Sequence, residues 1–386
     1  MSRRICVVTG TRAEYGLLRG LLSELRETSG ITVQLIATAM HLAPEFGRTV
    51  AEIEADGFPI DRRLEILVAS DSGAGMAKSA GLGMLSFADA FAELKPDVVV
   101  LLGDRFEILA AASAAMLMGI PIAHLHGGEI TEGAVDDSIR HAVSKMAALH
   151  FAAAEPYRQR LLQMGEAEER VFNVGGLGVD AILRVPRLSR EALEESLGFR
   201  FGERNLLVTF HPATAEDGDP AQQCEELLAA LDRFPEVKLL VTLPNADAGG
   251  RAIAARLQAW GAGQPDRVGV FASVGQQRYL SALAIVDGVV GNSSSGLLEA
   301  PSFGIGTVNI GSRQQGRLRA DSVIDCPPER EAISQAVTTL LAPEFRKKLA
   351  GVYNPYGTGG AAKKIAAVLA SFPFPELHGK RFVDRK

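Results

Sequence analysis

Cysteine is scarce in this chain: three residues in 386, Cys6, Cys224 and Cys326, stand far apart and carry no metal-type spacing. That excludes a disulfide framework and gives no zinc signature, and it fits a reducing compartment with each thiol a small buried side chain. Basic charge is short as well. Lys and Arg number 40 against 46 Asp and Glu, a net charge of −6, whereas nucleic-acid or anionic-membrane partners require a basic surface excess. Long apolar runs are missing, and none approaches the ~20 residues of a membrane-spanning helix. The first apolar stretch, Ile5 to Thr9, follows Ser2-Arg-Arg and is too short for the core of a signal peptide. A cytoplasmic protein is the expectation. Low-complexity segments and short-period repeats are also missing.

What remains is a globular composition, 47% hydrophobic and 22% charged, in a chain long enough for two domains. Short apolar strand-like runs alternate with helix-like runs. In the first half the strands are expected at 5–9, 32–38, 98–102, 120–124 and 149–153, with helices at 17–26, 45–56, 83–94, 106–118 and 137–147. The second half repeats the plan, with strands at 206–210, 239–242, 268–271, 288–290 and 307–310 and helices at 220–233, 249–260, 276–285 and 296–303. This is the α/β pattern of parallel sheets, and it predicts two Rossmann-like, doubly wound domains facing a cleft. The expected domains are 1–175 and 176–360. A C-terminal helix and tail, 361–386, would pack back on the first, and a glycine-rich hinge would run from Asn173 to Pro186.

Ligands of doubly wound folds bind beyond the carboxyl ends of strands, so polar residues just after strands are the candidates. Thr9-Gly-Thr-Arg-Ala-Glu-Tyr-Gly puts Arg12 and Glu14 after the first strand, without a Gly-x-Gly-x-x-Gly fingerprint. Gly103-Asp-Arg-Phe-Glu places Asp104 and Arg105 after another. His124-Leu-His-Gly-Gly-Glu and Asp136-Asp-Ser-Ile-Arg-His concentrate His126, Glu129, Asp136 and His141 in one short window. An extended segment would point His124 and His126 to the same side, where they could ligate zinc with Glu129; no further ligand at a fixed spacing supports this, and acid–base chemistry is the preferred reading. His211-Pro ends a strand in the second half and is expected to face His124 and Asp104 across the cleft. Gly291-Asn-Ser-Ser-Ser-Gly joins a strand to a helix and reads as a phosphate cradle or as an ordinary serine-capped turn.

Assembled, these stretches resemble the UDP-N-acetylglucosamine 2-epimerase family, in its hydrolysing, sialic-acid-pathway branch. The resemblance rests on Thr-Arg-Ala-Glu-Tyr-Gly at 11–16, on the motifs at 103–107, 124–129, 136–141 and 291–296, and on Gly-Ser-Arg-Gln-Gln-Gly-Arg at 311–317. It implies a glycosyltransferase-B-like fold without cofactor or metal. Ser293, Ser294 and the helix from Gly296 would hold the diphosphate with Arg12 closing on it, Glu299 would take the ribose hydroxyls, and Arg313 would lie near the nucleotide. The implied chemistry is elimination of UDP to a 2-acetamidoglucal, then addition of water with a proton returning to the opposite face of C2. Asp104, Glu129 and Asp136 are the acid–base candidates, with His126 able to exchange protons near neutral pH. Arg12, Arg105 and His211 are candidate charge stabilisers. Which acid serves which step is open.

Many hydrolysing relatives carry glutamate at the position of His126. The form found here, followed by Thr131-Glu-Gly-Ala, looks like the sub-branch acting on nucleotide-linked 2,4-diacetamido-2,4,6-trideoxyglucose in legionaminic acid synthesis. UDP-N-acetylglucosamine is the first substrate expected, and this sugar, on UDP or GDP, the second. A non-hydrolysing epimerase, a retaining glycosyltransferase and a nucleotide-sugar sensor without turnover are the other readings. Relatives suggest a homo-oligomer, dimer or tetramer; the apolar helix Ala110 to Met118 could serve its interface or simply be core.

Overall fold

The computed structural model describes residues 2–44, 47–70, 72–131, 135–212, 219–244, 250–374 and 379–384. The chain forms two compact units, Met1–Ala181 with Tyr356–Lys386, and Ile182–Pro355.

The first unit is built on β1 (Arg3–Thr9), β2 (Ile31–Thr38), β3 (Arg62–Leu64), β4 (Val98–Leu102), β5 (Ile122–Leu125), β6 (Leu149–Ala152) and β7 (Val171–Asn173). They make one parallel sheet in the order β3-β2-β1-β4-β5-β6-β7. Central strands are apolar on both faces because helices cover both faces. Along β1, Ile5 and Val7 pack with Leu18, Leu21, Leu22 and Leu25 of helix Arg12–Glu27. Cys6 and Val8 point the other way, toward Phe87 and Phe91 of helix Gly73–Leu94 and Ala111 of helix Phe106–Leu117. Period-two alternation thus sorts one strand into two cores.

The second unit uses β8 (Arg204–Thr209), β9 (Val237–Thr242), β10 (Val268–Phe271), β11 (Gly288–Gly291), β12 (Gly306–Ile310) and β13 (Val323–Cys326). These are parallel in the order β10-β9-β8-β11-β12-β13. Leu206 and Val208 face Cys224, Leu227 and Leu231 of helix Pro220–Leu231, while Leu207 on the opposite face meets Leu193 and Leu283.

Strands β3, β7 and β13 had no apolar run to announce them: they read Arg-Arg-Leu, Val-Phe-Asn and Val-Ile-Asp-Cys and sit at sheet edges, half exposed. The helix expected over 296–303 is two pieces, a single turn Ser295–Leu298 and a 3₁₀ turn Ala300–Phe303. Pro301 has no N–H to return to the preceding turn, so the α-helix stops before it. Of the helix expected over 45–56, Glu45 and Phe46 lie outside the described residues, and Val50–Ala55 is helical. Gly249 lies outside them too, and the following helix is Gly250–Ala262.

The last helix, Ala361–Ser371, belongs to the first unit. The buried Asp180 carboxylate accepts from Ala361 N at 3.0 Å and Ala362 N at 2.7 Å, satisfying two donors that the helix start leaves open. Arg3 donates from β1 to the Leu369 and Phe372 carbonyls at 3.0 and 2.6 Å, closing the other end. Among the described residues no helix is long and apolar enough to cross a membrane.

Candidate functional site

In each sheet the strand order reverses at one place, between β1 and β4 and between β8 and β11. Loops diverge there and leave a crevice beyond the strand ends, where α/β proteins bind ligands. Arg12, Asp104 and Arg105 follow the strands of the first reversal and His211, Ser293 and Ser294 those of the second, while His126 and Glu129 follow β5, Asp136 lies on helix Val135–Met146 and Arg313 follows β12.

After β1, Thr11 caps helix Arg12–Glu27 in a capping box with Glu14. Glu14 Oε2 accepts from Gly10 N at 2.7 Å and Thr11 N at 3.3 Å. A side chain at Gly10 would run into the Glu107 carboxyl, with 2.6 Å to Oε1, so glycine is what lets this carboxyl lie against the β1 turn. Glu107 is fully buried and its Oε1 accepts from Arg105 Nε at 2.8 Å. Burial and the Glu107 charge push the Glu14 carboxyl up to about 8. Arg12 stands exposed at the first helical position, paired with Glu52 at 3.0 Å. Arg105 is half-buried, and its guanidinium also contacts Met40 Sδ at 3.6 Å.

Gly103 turns out of β4 with φ +80 and presents Asp104. Its carboxylate pairs with Arg140, a 4% exposed residue of helix Val135–Met146. Arg140 also reaches Asp137 Oδ1 at 3.3 Å and Thr131 Oγ1 at 2.9 Å. Asp136 opens the same helix in reach of solvent, yet partial desolvation, and then the Asp104 charge, raise its carboxyl above the ordinary value. One helix therefore delivers Arg140 and Asp136 to the end of β4. A carboxyl of raised proton affinity, Asp136, beside the Asp104 carboxylate and two guanidiniums is suited to taking and giving a proton.

The histidines part company at the end of β5. His124 is fully buried, Nε2 donating to the Gly103 carbonyl at 2.8 Å and Nδ1 accepting from Ser144 Oγ at 3.1 Å; burial lowers its pKa to about 3. His126 adopts φ +63, which breaks the extended alternation. Its Nδ1 lies 3.1 Å from Glu129 Oε1, and its Nε2 accepts from Leu177 N at 3.4 Å. The expectation that the two imidazoles share a side is therefore corrected, and so is the idea that His124 faces a cleft: its ring is consumed inside the unit. Among the described residues no group of three or more His, Cys, Asp or Glu side chains could hold a metal ion.

In the second unit, His211 follows β8 and is buried, and Asn292, Ser293 and Ser294 follow β11. Gly291 holds φ +136, and a Cβ there would fall on the Thr209 carbonyl oxygen. Ser293 and Ser294 are half-buried, and Ser293 Oγ accepts from Ser295 N at 3.4 Å. Gly296 is buried in the short turn that follows, where a Cβ would collide with Thr307. Glu299 accepts from Ser295 Oγ, which in turn accepts from Tyr279 Oη at 2.7 Å; burial raises the Glu299 carboxyl. Arg313 Nη1 donates to the Asn292 carbonyl at 3.1 Å.

Several participants had no weight in the sequence reading: Arg140, Glu107 and Asn292 stood inside quoted motifs, while Tyr279 carried no signal. Hydrogen bonds made over long sequence separations single out Arg140, Asn292 and Tyr279, and close packing against Gly10 singles out Glu107.

Fold and strand-end chemistry together define a two-unit α/β enzyme of the glycosyltransferase-B-like class. The profile of the UDP-N-acetylglucosamine 2-epimerase family matches residues 23–370, and the chain belongs to that family, in its hydrolysing branch. It is 43% identical over 345 residues to the hydrolysing GDP/UDP-N,N'-diacetylbacillosamine 2-epimerase of Campylobacter jejuni, covering 89% of each chain. It is 38% identical over 374 residues to the hydrolysing UDP-N,N'-diacetylbacillosamine 2-epimerase of Legionella pneumophila, covering 97% of each. In fold it is similar to the UDP-GlcNAc 2-epimerase of Neisseria meningitidis, with TM-score 0.75, 21% identity and coverage of 95% of this chain and 99% of that one.

Proposed function

We propose that this enzyme takes a nucleoside-diphosphate 2-acetamido sugar and releases the free 2-epimer and the nucleoside diphosphate. A carboxylate removes the C2 proton as the C1–oxygen bond to the diphosphate breaks, leaving a C1–C2 double bond. Water then adds its hydroxyl to C1, and a proton is delivered to C2 from the opposite face. The observation that carries this reading is the pair Asp104 and Asp136, one bonded to Arg140 and the other with raised proton affinity. Glu129, tied to His126, is the further acid–base candidate. Arg105 and His211 are assigned to charge developing on the diphosphate. Arg12, Ser293, Ser294, Gly296, Glu299 and Arg313 are assigned to the nucleotide.

The sugar we favour is N,N'-diacetylbacillosamine, a 2,4-diacetamido-2,4,6-trideoxyhexose, because the relatives at 43% and 38% identity carry it in their names. UDP-N-acetylglucosamine is the second reading, supported by a relative of that name at 32% identity. Free buried Cys6 and Cys224 fit a reducing cytoplasm. A homo-oligomer, dimer or tetramer, fits the apolar side chains that Leu82, Leu85 and Leu117 expose on two neighbouring helices, although Ala111, Ala112 and Ala115 of the second helix are core; light scattering on the eluted protein tests it.

Proton NMR of the reaction in D2O tests the activity, with both nucleotide sugars in parallel. Free 2-epimer deuterated at C2, alongside free nucleoside diphosphate, is the expected result. A nucleotide-linked epimer would instead indicate the non-hydrolysing reaction, and an unchanged spectrum a sensor.

A further inference from the structure

The end of β8 and the end of β11 are joined by one side chain. Asn292 Oδ1 accepts from His211 N at 2.7 Å, and Asn292 Nδ2 donates to the His211 carbonyl at 2.8 Å. The main chain of Asn292 is engaged as well. Its N–H donates to the Thr209 carbonyl at 3.1 Å, and its carbonyl accepts from Arg313 Nη1 at 3.1 Å and Gln314 Nε2 at 2.9 Å. Asn292 is 1% exposed and His211 6%, so these bonds are made away from water, where leaving one unmade is costly.

Asparagine fits both ends of this bridge. Aspartate offers no donor to the His211 carbonyl, serine is too short to reach both groups, and glutamine carries an extra methylene. Gly291 brings the two strand ends close enough, since any Cβ there would strike Thr209. Immediately after Asn292 come Ser293 and Ser294.

We infer that Asn292 is a positioning residue that couples the serine loop to His211, so that a nucleotide seated on the loop sets the place of the imidazole. The inference rests on the roles proposed above for His211 and the serines. Asn292 need touch no substrate: it acts through the His211 backbone, and the Arg313 and Gln314 side chains bring the segment 313–314 into the same unit.

The test is a double-mutant cycle with Asn292→Asp and Asn292→Ser, each alone and with His211→Asn, following UDP release from the nucleotide sugar and UDP affinity by calorimetry. Each Asn292 variant is expected to lower kcat by about tenfold or more with UDP affinity little changed, and to cause no further loss once His211 is replaced. Losses that multiply in the double variant, or weakened UDP binding with kcat intact, would overturn the inference. Asn292→Asp keeps the shape of the side chain, so it is read where Asn292→Ser does not fold. A readout independent of turnover is the His211 ring signal in ¹⁵N-histidine NMR. It should shift when UDP is added to the unmodified protein and not to Asn292→Asp; a shift retained in the variant also overturns the coupling. Should UDP bind and shift the signal while no sugar is released, the proposed reaction fails and the coupling stands.

Discussion

Arg140 holds Asp104 across 36 residues of sequence, a buried guanidinium from helix Val135–Met146 bonded to a carboxylate at the end of β4. The same cation lowers the proton affinity of Asp136, which Asp104 raises. Replacing Arg140 by Met is therefore expected to reduce turnover by ~100-fold or more, with its stabilisation of the charged groups removed. For a reaction that needs the ionised Asp136, the acid limb of the pH–rate profile should move to higher pH, since Asp136 would then lose its proton later. A profile of kcat/KM against pH checks both the size and the direction.

Asp104→Asn keeps the shape and removes the charge. It is expected to cut turnover by at least ~100-fold while UDP binding stays nearly intact. Near-normal activity, measured as UDP release, would remove Asp104 from the acid–base roles.

Arg313→Ala should weaken UDP binding, because it removes the donor to the Asn292 carbonyl together with a cation beside the serine loop. About tenfold in Kd by calorimetry is the expected scale. An unchanged Kd would place Arg313 outside the nucleotide site.

Glu14 predicts how stability varies with pH. Its carboxyl titrates at 4.5 ordinarily and at about 8 when folded, through burial and the neighbouring Glu107. Between those values the folded chain binds more protons than the unfolded one, so this group's contribution is full at low pH and is lost as pH rises through about 8. The Tm should accordingly fall from about pH 4.5 to about pH 8, and Glu14→Gln, whose amide oxygen can still accept from Gly10 and Thr11, should flatten that slope. A slope unchanged in Glu14→Gln would refute the assignment.

Asp180→Ala should destabilise the first unit by ~1–3 kcal/mol, since Ala361 and Ala362 would lose the acceptor at the start of a packed helix. Denaturant titration reads the change. Asp180→Asn, which retains one acceptor, should recover part of it.

Much of the fold was legible. Val98–Leu102 and Val268–Phe271 stand as read, because fully apolar runs of strand length between helical segments have few other uses in an α/β chain. Edge strands such as Arg62–Leu64 escaped, being half-solvated and so unmarked by hydrophobic pattern. The motifs at 103–107 and 291–296 fell at the ends of the strands Val98–Leu102 and Gly288–Gly291, and that at 136–141 fell on helix Val135–Met146. They did not separate His124 from His126, because periodicity alone cannot show that a backbone turns to φ +63 between a buried ring and a half-exposed one.

By itself, then, the sequence determined the alternation of strands and helices, and hence the sheets, and it marked which strand ends carry polar chemistry. That follows from local pattern: apolar periodicity sets burial, and glycines and caps set where elements stop. Only the tertiary structure decided which groups meet. That Arg140 bonds Asp104, that Glu107 fills the space beside Gly10, and that Asn292 grips His211 follow from strands distant in sequence becoming neighbours in a sheet. Adjacency of that kind is set by the packing of the whole unit, and no spacing along the chain encodes it.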